Sequence, residues 1–231
     1  MLDVNRRELK YLVSPTNVLE LKQSLAAVLS EDLHNGGNGY MVRSLYFDSL
    51  ADCDFEDKVD GYDKRQKIRL RIYDIHSAQA KLELKEKEGN AQRKRSLLLN
   101  RGEAESMIRG DYTFLMSRSE PVAHKLYTMM VMKCYRPKCI VEYDRMAYCA
   151  ETNDIRITFD MNLRATELNY NIFEENLMLY PVSDAAAITM EVKYNGFLFT
   201  YIKNILNQSD KMQISNSKYC RARSISKRGR I

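Results

Sequence analysis

The stretch KIRLRIY at residues 67–73 alternates charged or polar and apolar side chains without a break, and KLELKEK at residues 81–87 nearly repeats the pattern. Successive side chains of a β-strand point to opposite faces, so a period of two predicts strands with one apolar face and one charged face. A third predicted strand, residues 92–99, follows the turn Glu88-Gly89-Asn90. The three segments therefore predict an antiparallel meander with short connections.

Other segments extend the same pattern on both sides of the meander. We predict further strands at residues 6–11, 40–48, 139–148, 154–160 and 188–194. Apolar stripes at helical spacing predict a helix that opens at Ser14-Pro15 and reaches Leu29, and helices near residues 103–109, 120–133 and 197–207. Strands and helices that occur in separate runs favour an α+β fold, with the helices covering the apolar face of the sheet.

The bulk composition is that of an ordinary globular domain. The 231 residues are 45% hydrophobic and 29% charged, and no linker interrupts them, so we predict one domain over residues 1–231. Residues 221–231 are predicted to be a flexible basic tail, unless Arg221 and Arg223 belong to a last strand. Five cysteines without a CxxC pair argue against a disulfide framework and a zinc site. With no signal peptide and no long apolar stretch, we expect a cytoplasmic location.

The charged faces are unusual because cations recur at every second position in strand after strand. Were these faces to point into a shared hollow, the cations would repel one another unless a dense anion neutralised them. Phosphate chains fit, since Arg binds phosphate bidentately and Lys acts as a point charge. The alternative is a solvated face with ordinary cross-strand ion pairs. The inward candidates are Arg6, Lys10, Arg69, Arg71, Lys85, Lys87, Arg145, Arg156, Lys193 and Lys218.

An ordered set of motifs gives the chain a family resemblance. It resembles the VTC domain, the polyphosphate polymerase branch of the triphosphate tunnel (CYTH-like) superfamily. The resemblance implies an eight-stranded antiparallel β-tunnel with helices packed outside it. The motifs are RRELKYLV (6–13), SLYFDS (44–49), KIRLRIY (67–73), LELKEK (82–87), YDRMAY (143–148), IRITFD (155–160), MEVKY (190–194) and SKYCRAR (217–223).

The resemblance also implies roles for individual residues. Glu191 matches the metal-binding glutamate for Mn²⁺ or Mg²⁺, and Glu8 and Glu83 are further metal candidates. Phosphate contacts are implied for Lys10, Arg69, Arg71, Lys85, Arg145, Arg156 and Lys218, with Lys94 and Lys193 as secondary contacts. The implied catalytic residues are Lys218, Arg69, Arg71 and Glu191.

The leading hypothesis for function is a metal-dependent transfer of the ATP γ-phosphoryl group to a growing polyphosphate chain. The first strand carries a single Glu before Lys10, unlike the two glutamates of the hydrolase branches, and there is no Walker A sequence. A tripolyphosphate or nucleoside triphosphate hydrolase, a binding module without activity, and an RNA-binding β-barrel are the alternatives. We expect ATP or triphosphate and polyphosphate as ligands and no nucleic acid. A membrane protein is a candidate partner.

Overall fold

The alternating segments form the strands of an α+β fold, in a computed structural model that describes residues 6–37, 39–89, 91–184 and 186–228. The strands are β1 (Arg6–Val13), β2 (Ser30–Glu31), β3 (Tyr40–Asp48), β4 (Arg65–Ile72), β5 (Gln79–Glu88), β6 (Ala91–Asn100), β7 (Arg136–Ala150), β8 (Ile155–Thr166), β9 (Tyr180–Pro181), β10 (Ile188–Asn195) and β11 (Met212–Gln213). The helices are α1 (Pro15–Ala26), α2 (Cys53–Val59), α3 (Arg101–Ile108), α4 (Pro121–Met132), α5 (Thr200–Asn207) and α6 (Lys218–Arg228).

The α+β class and the antiparallel pairing are confirmed, and the predicted strand count needs a correction. The described residues form eleven strands instead of eight. The strands β2, β9 and β11 have two residues each and pair with β7, β8 and β1. A strand of two residues is too short to show a period-two pattern, so the sequence cannot predict these three strands. The eight longer strands are the ones that the alternating segments predict.

The chain divides into two compact units, and each is discontinuous in sequence. The first unit comprises residues 1–41, 143–163 and 183–216, and the second comprises residues 42–142, 164–182 and 217–231. The prediction of a single domain stays a prediction.

The first unit is built on the strand order β11-β1-β10-β8. One face of this sheet is apolar, with Ile157 of β8 and Met190 of β10 fully buried. Helices α1 and α5 cover it through Leu25 and Ile202, which are also fully buried. Ser14 caps α1 by accepting a hydrogen bond from the backbone N–H of Asn17, as the Ser-Pro start predicts.

The second unit contains the predicted antiparallel meander β4-β5-β6, and β3 adds a fourth strand beside β4 that the predicted meander does not include. Its apolar face carries Ile68, Leu70, Leu82 and Leu84, all with no exposed surface. Helices α2, α3, α4 and α6 belong to the same unit. Helix α2 has no counterpart among the predicted helices, because its seven residues give too short a stripe. In the described part of the chain, every helix is too short or too polar to span a bilayer.

The C-terminal segment differs most from prediction. Lys218–Arg228 is a helix, so the flexible tail and the last strand are both wrong as far as residue 228, while residues 229–231 lie outside the described part. Tyr219 and Ala222, three residues apart, are 1% and 4% exposed, and they form the buried side of the helix. Arg223 bonds Asp52 at 2.8 Å and Glu167 at 2.6 Å. Buried contacts and ion pairs therefore order a segment whose composition suggests a solvated end.

The Tyr219 hydroxyl ties α6 to the end of β3, and it yields a stability prediction. It donates a 2.6 Å hydrogen bond to Oδ2 of the buried Asp48. Tyr219→Phe should lower the free energy of unfolding by about 1–3 kcal/mol, because the bond has a charged acceptor. Urea unfolding measures the change, with Tyr201→Phe at a 47% exposed position as the matched control. Equal stability of the two variants would contradict the role of Tyr219.

Candidate functional site: two charged sheet faces

One charged face lies on β4, β5 and β6 of the second unit, and its cross-strand register sets cations opposite cations. Lys67 pairs with Lys85, and Lys85 pairs with Lys94, so three lysines form a row across three strands. Arg71 likewise lies opposite Lys81. Like charges placed directly opposite destabilise a sheet, whereas a solvated face ordinarily pairs opposite charges. Among the described residues of this face, opposite charges pair in the register only where Arg69 lies opposite Glu83, so the face combines one ion-paired position with a row of opposed cations. We call it the lysine face, and its members are Lys67, Arg69, Arg71, Glu83, Lys85 and Lys94.

Glu83 is the carboxylate at the centre of the lysine face. Its Oε2 lies 2.5 Å from Nε of Arg69 and 3.8 Å from Nη1 of Arg71, and Oε1 contacts Lys94. The side chain is 2% exposed. Burial alone favours the neutral acid, but Arg69, Arg71 and Lys94 outweigh it and hold the pKa of Glu83 at about 2. One carboxylate is thus shared by three cations.

Aromatic and hydroxyl side chains fix the cations of the lysine face in position. The Lys67 ammonium donates to Ser217 Oγ at 2.9 Å and lies 5.8 Å and 5.7 Å from the ring centroids of Tyr46 and Tyr219. These two rings stack at 5.2 Å. Although burial opposes ionisation of Tyr46, Arg69, Lys67 and Arg71 lower the pKa of its hydroxyl. Lysine over an aromatic ring is held by the ring quadrupole.

Sequence reasoning missed Lys67, Tyr46 and Ser217 as site residues. Lys67 has the same parity as Arg69 within KIRLRIY, so the alternation itself could have included it. Tyr46 lies opposite Arg69 in the β3–β4 register, which only strand pairing reveals. Ser217 immediately precedes Lys218, which is one of the predicted site residues. Lys218 is the first residue of α6 and is half-buried.

The second charged face lies on β1, β10, β8 and β7 of the first unit, and here opposite charges do pair. Lys10 lies opposite Glu191, and Glu8 lies opposite Lys193. Lys10 Nζ is 3.0 Å from Glu8, and Lys193 Nζ is 2.6 Å from Glu191. Burial would lower the pKa of Lys10, but the charges of Glu191 and Glu8 raise it overall. We call this the carboxylate face, and its members are Glu8, Lys10, Arg145, Arg156, Asp160, Glu191 and Lys193.

The two arginines of the carboxylate face already hold acidic partners. Arg145 donates from Nε and Nη2 to both oxygens of Asp160, at 2.7 Å and 2.8 Å. Burial by itself would lower the pKa of Arg145, but the interactions with Tyr143 and Asp160 raise that pKa overall. Arg156 lies 2.6 Å from Asp32, a partner that the sequence does not reveal. A ligand phosphate would therefore compete with fixed carboxylates at these two guanidinium groups.

The predicted metal ligands have different surroundings. Glu8 and Glu191 both neighbour Lys10, and two carboxylates suit Mg²⁺ or Mn²⁺, which keep waters and accept substrate oxygens. Glu83 is surrounded by three cations, which oppose a divalent ion. Across residues 6–37, 39–89, 91–184 and 186–228, no three Asp, Glu, His or Cys side chains cluster as a metal site. Glu8 and Glu191 have two lysine neighbours, Lys10 at 3.0 Å from Glu8 and Lys193 at 2.6 Å from Glu191, so a metal completed by ligand oxygens would meet fewer cations there than at Glu83.

Comparisons with known proteins add a family match. The profile described as the VTC domain matches residues 5–227. Among solved structures, a proposed adenylate cyclase from Bacillus halodurans is 15% identical, with 88% of each chain covered and a TM-score of 0.48. One from Vibrio parahaemolyticus is 12% identical, covering 88% of this chain and 85% of that chain, with a TM-score of 0.47. A chain of the Schizosaccharomyces pombe Mediator head module is 10% identical. The match covers 90% of this chain and 99% of that chain, with a TM-score of 0.49. No curated protein sequence matches the chain.

The low pKa of Glu83 predicts a pH-dependent contribution to stability. A carboxylate whose pKa falls from 4.5 to about 2 on folding stabilises the fold above pH 4.5, and the contribution is lost as pH falls through about 2. Glu83→Gln should lower the free energy of unfolding by roughly 3 kcal/mol at pH 7. The difference from the parent protein should shrink between pH 4.5 and pH 2.

Urea unfolding over this pH range measures the Glu83→Gln difference. Glu105→Gln is the control, because Glu105 forms a surface pair with Arg101 and is 44% exposed. Its effect should stay below about 1 kcal/mol at every pH. A Glu83→Gln difference that is constant from pH 7 to pH 2 would contradict the shared-carboxylate interpretation.

Proposed function

The chain belongs to the VTC domain family, and from that premise we propose that it is a metal-dependent polyphosphate polymerase. It transfers the γ-phosphoryl group of ATP to the end of a growing inorganic polyphosphate chain in the cytoplasm. Its proposed ligands are therefore ATP, polyphosphate and Mn²⁺ or Mg²⁺. The lysine face and the carboxylate face supply the chemistry that such a transfer needs.

The observation that carries the proposal is the row of opposed lysines, Lys67, Lys85 and Lys94. Like charges placed directly opposite one another on neighbouring strands destabilise a sheet. Together with the Arg71–Lys81 opposition, this repulsion weakens the sheet unless an anion offsets it. A face arranged in this way gains stability when a polyanion binds.

The shape of the lysine face favours a linear phosphate chain over a single phosphate. Neighbouring strands lie about 4.8 Å apart, so the three lysines follow one another at that backbone interval across the sheet. The guanidinium groups of Arg69 and Arg71 add planar donor pairs that match phosphate oxygens. Glu83 holds these two groups in fixed orientation. Several phosphate groups in sequence would use all of these donors at once.

The proposed reaction requires little covalent chemistry from the protein. In phosphoryl transfer the reacting groups need alignment and the negative charge of the transferring group needs neutralisation. Glu191 and Glu8 would hold the metal, which, when bound, neutralises and polarises phosphoryl oxygens. Lys10, held between these carboxylates, contributes a point charge, and Lys193 keeps Glu191 oriented. Arg69, Arg71 and Lys218 bind and orient phosphate groups.

Product analysis with ATP and Mn²⁺ tests the proposal. Long chains made by the purified protein support a polymerase. Phosphate release without chains would instead indicate the hydrolase, and binding without turnover would indicate a binding module. Arg69→Ala and Lys218→Ala should each weaken triphosphate binding tenfold or more, because each removes charge-assisted hydrogen bonds.

The role of Glu191 separates binding from turnover. Glu191→Gln keeps the size of the side chain, so it should reduce metal-dependent turnover at least tenfold while triphosphate binding without metal changes little. Arg109→Ala, an exposed residue at the end of α3, is the control for both assays. Unchanged turnover in Glu191→Gln would show that this carboxylate holds no metal.

A further inference from the structure

A second cluster of cations lines a pocket in the second unit, away from the centre of the lysine face. The pocket has a volume of about 480 Å³, within the range of small-molecule sites. Seven cationic side chains and three carboxylates line it, whereas the whole chain has 36 basic and 31 acidic residues. The cations are Lys64, Arg65, Lys87, Arg93, Arg95, Lys125 and Lys133.

The pocket lies at the end of the meander, where residues of both sheet faces line it: Arg65 and Lys87 have the parity of the lysine face, and Glu86, Arg93 and Arg95 have the opposite parity. Glu86 lies between Lys85 and Lys87 in β5, so its side chain shares the other face with the buried Leu82 and Leu84. Glu86 lies opposite Arg93 of β6, and Arg95 lies opposite Leu84. The pocket therefore extends around the end of the meander from the apolar face, where the buried leucines are followed by charged residues, and its cations Arg93 and Arg95 lie on the opposite side of β6 from Lys94.

The carboxylates of the pocket do not neutralise its cations. Glu86 is shared, since Lys125 Nζ donates to its Oε1 at 2.6 Å and Arg95 bonds its Oε2. The buried Nε of Arg95 has no hydrogen-bond acceptor within the described residues. Lys64 and Arg93 are exposed, so their ammonium and guanidinium groups can reach a ligand. A buried donor without an acceptor costs free energy that a bound anion would offset.

We propose that this pocket is a second anion site, which binds a small ligand carrying two or more phosphate groups. Arg95, held against Glu86, provides the fixed donor at its base. Lys64 and Arg93 provide mobile charges at its mouth. A single phosphate would meet only part of this charge, so ligands with several phosphates bind better. The ligand is either a linear oligophosphate or a metabolite phosphorylated at separate hydroxyl groups. The site does not depend on the polymerase proposal, because it requires binding alone.

Calorimetric titration with inorganic tripolyphosphate and with a sugar bisphosphate tests the site. The double variant Lys64→Gln/Arg93→Gln should weaken one class of binding sites at least tenfold, and Arg69→Ala should weaken the other class. The variant Arg109→Gln/Lys203→Gln removes the same number of exposed charges outside the pocket and should change affinity less than twofold. Low salt is used, since ionic strength screens these charges.

The two ligands distinguish the sources of the phosphate groups. Weakened binding of tripolyphosphate alone assigns the pocket to linear chains, and weakened binding of the sugar bisphosphate alone assigns it to metabolites. Parent-like binding of both ligands to Lys64→Gln/Arg93→Gln would overturn the proposal. Equal losses in the two double variants would also overturn it, because they would reflect net charge only. Thermal unfolding confirms that both double variants are folded.

Discussion

The constraint on which this structure depends is the hydrogen-bonded register of β4, β5 and β6. Because the register of an antiparallel pair fixes which side chains are opposite, it sets Lys67, Lys85 and Lys94 in one row. Hydrophobic burial of Ile68, Leu82 and their neighbours on the other face holds that register against the repulsion. A shift by one residue would bury charges, so the apolar core imposes the cationic row.

The two charged faces differ in how their cations are paired with carboxylates. On the carboxylate face, Glu8, Asp160 and Glu191 lie beside lysine and arginine partners, which leaves little charge for a ligand to offset. On the lysine face, Glu83 is shared by the three cations Arg69, Arg71 and Lys94. The first arrangement suits the placement of a metal and its orientation, and the second suits affinity for a polyanion.

Helix α6 shows how a binding residue can depend on packing outside the sheets. Lys218 begins this helix, and the next residue, Tyr219, is buried against Tyr46 and bonded to Asp48. The position of Lys218 therefore follows from the docking of an aromatic ring. Its neighbour Ser217 accepts a hydrogen bond from Lys67, so the helix start and the lysine face are joined directly.

The sequence by itself determined the strands, their charged faces and the helix at Ser14, because periodicity and capping are local properties. It also carried the family resemblance, which the match to residues 5–227 confirms. It could not determine that Lys85 opposes two lysines, that Asp32 holds Arg156, or that residues 218–228 are helical. That all the cations line one shared hollow stays a prediction. Register, distant ion pairs and helix docking join residues far apart in the chain, so only the tertiary structure decided them.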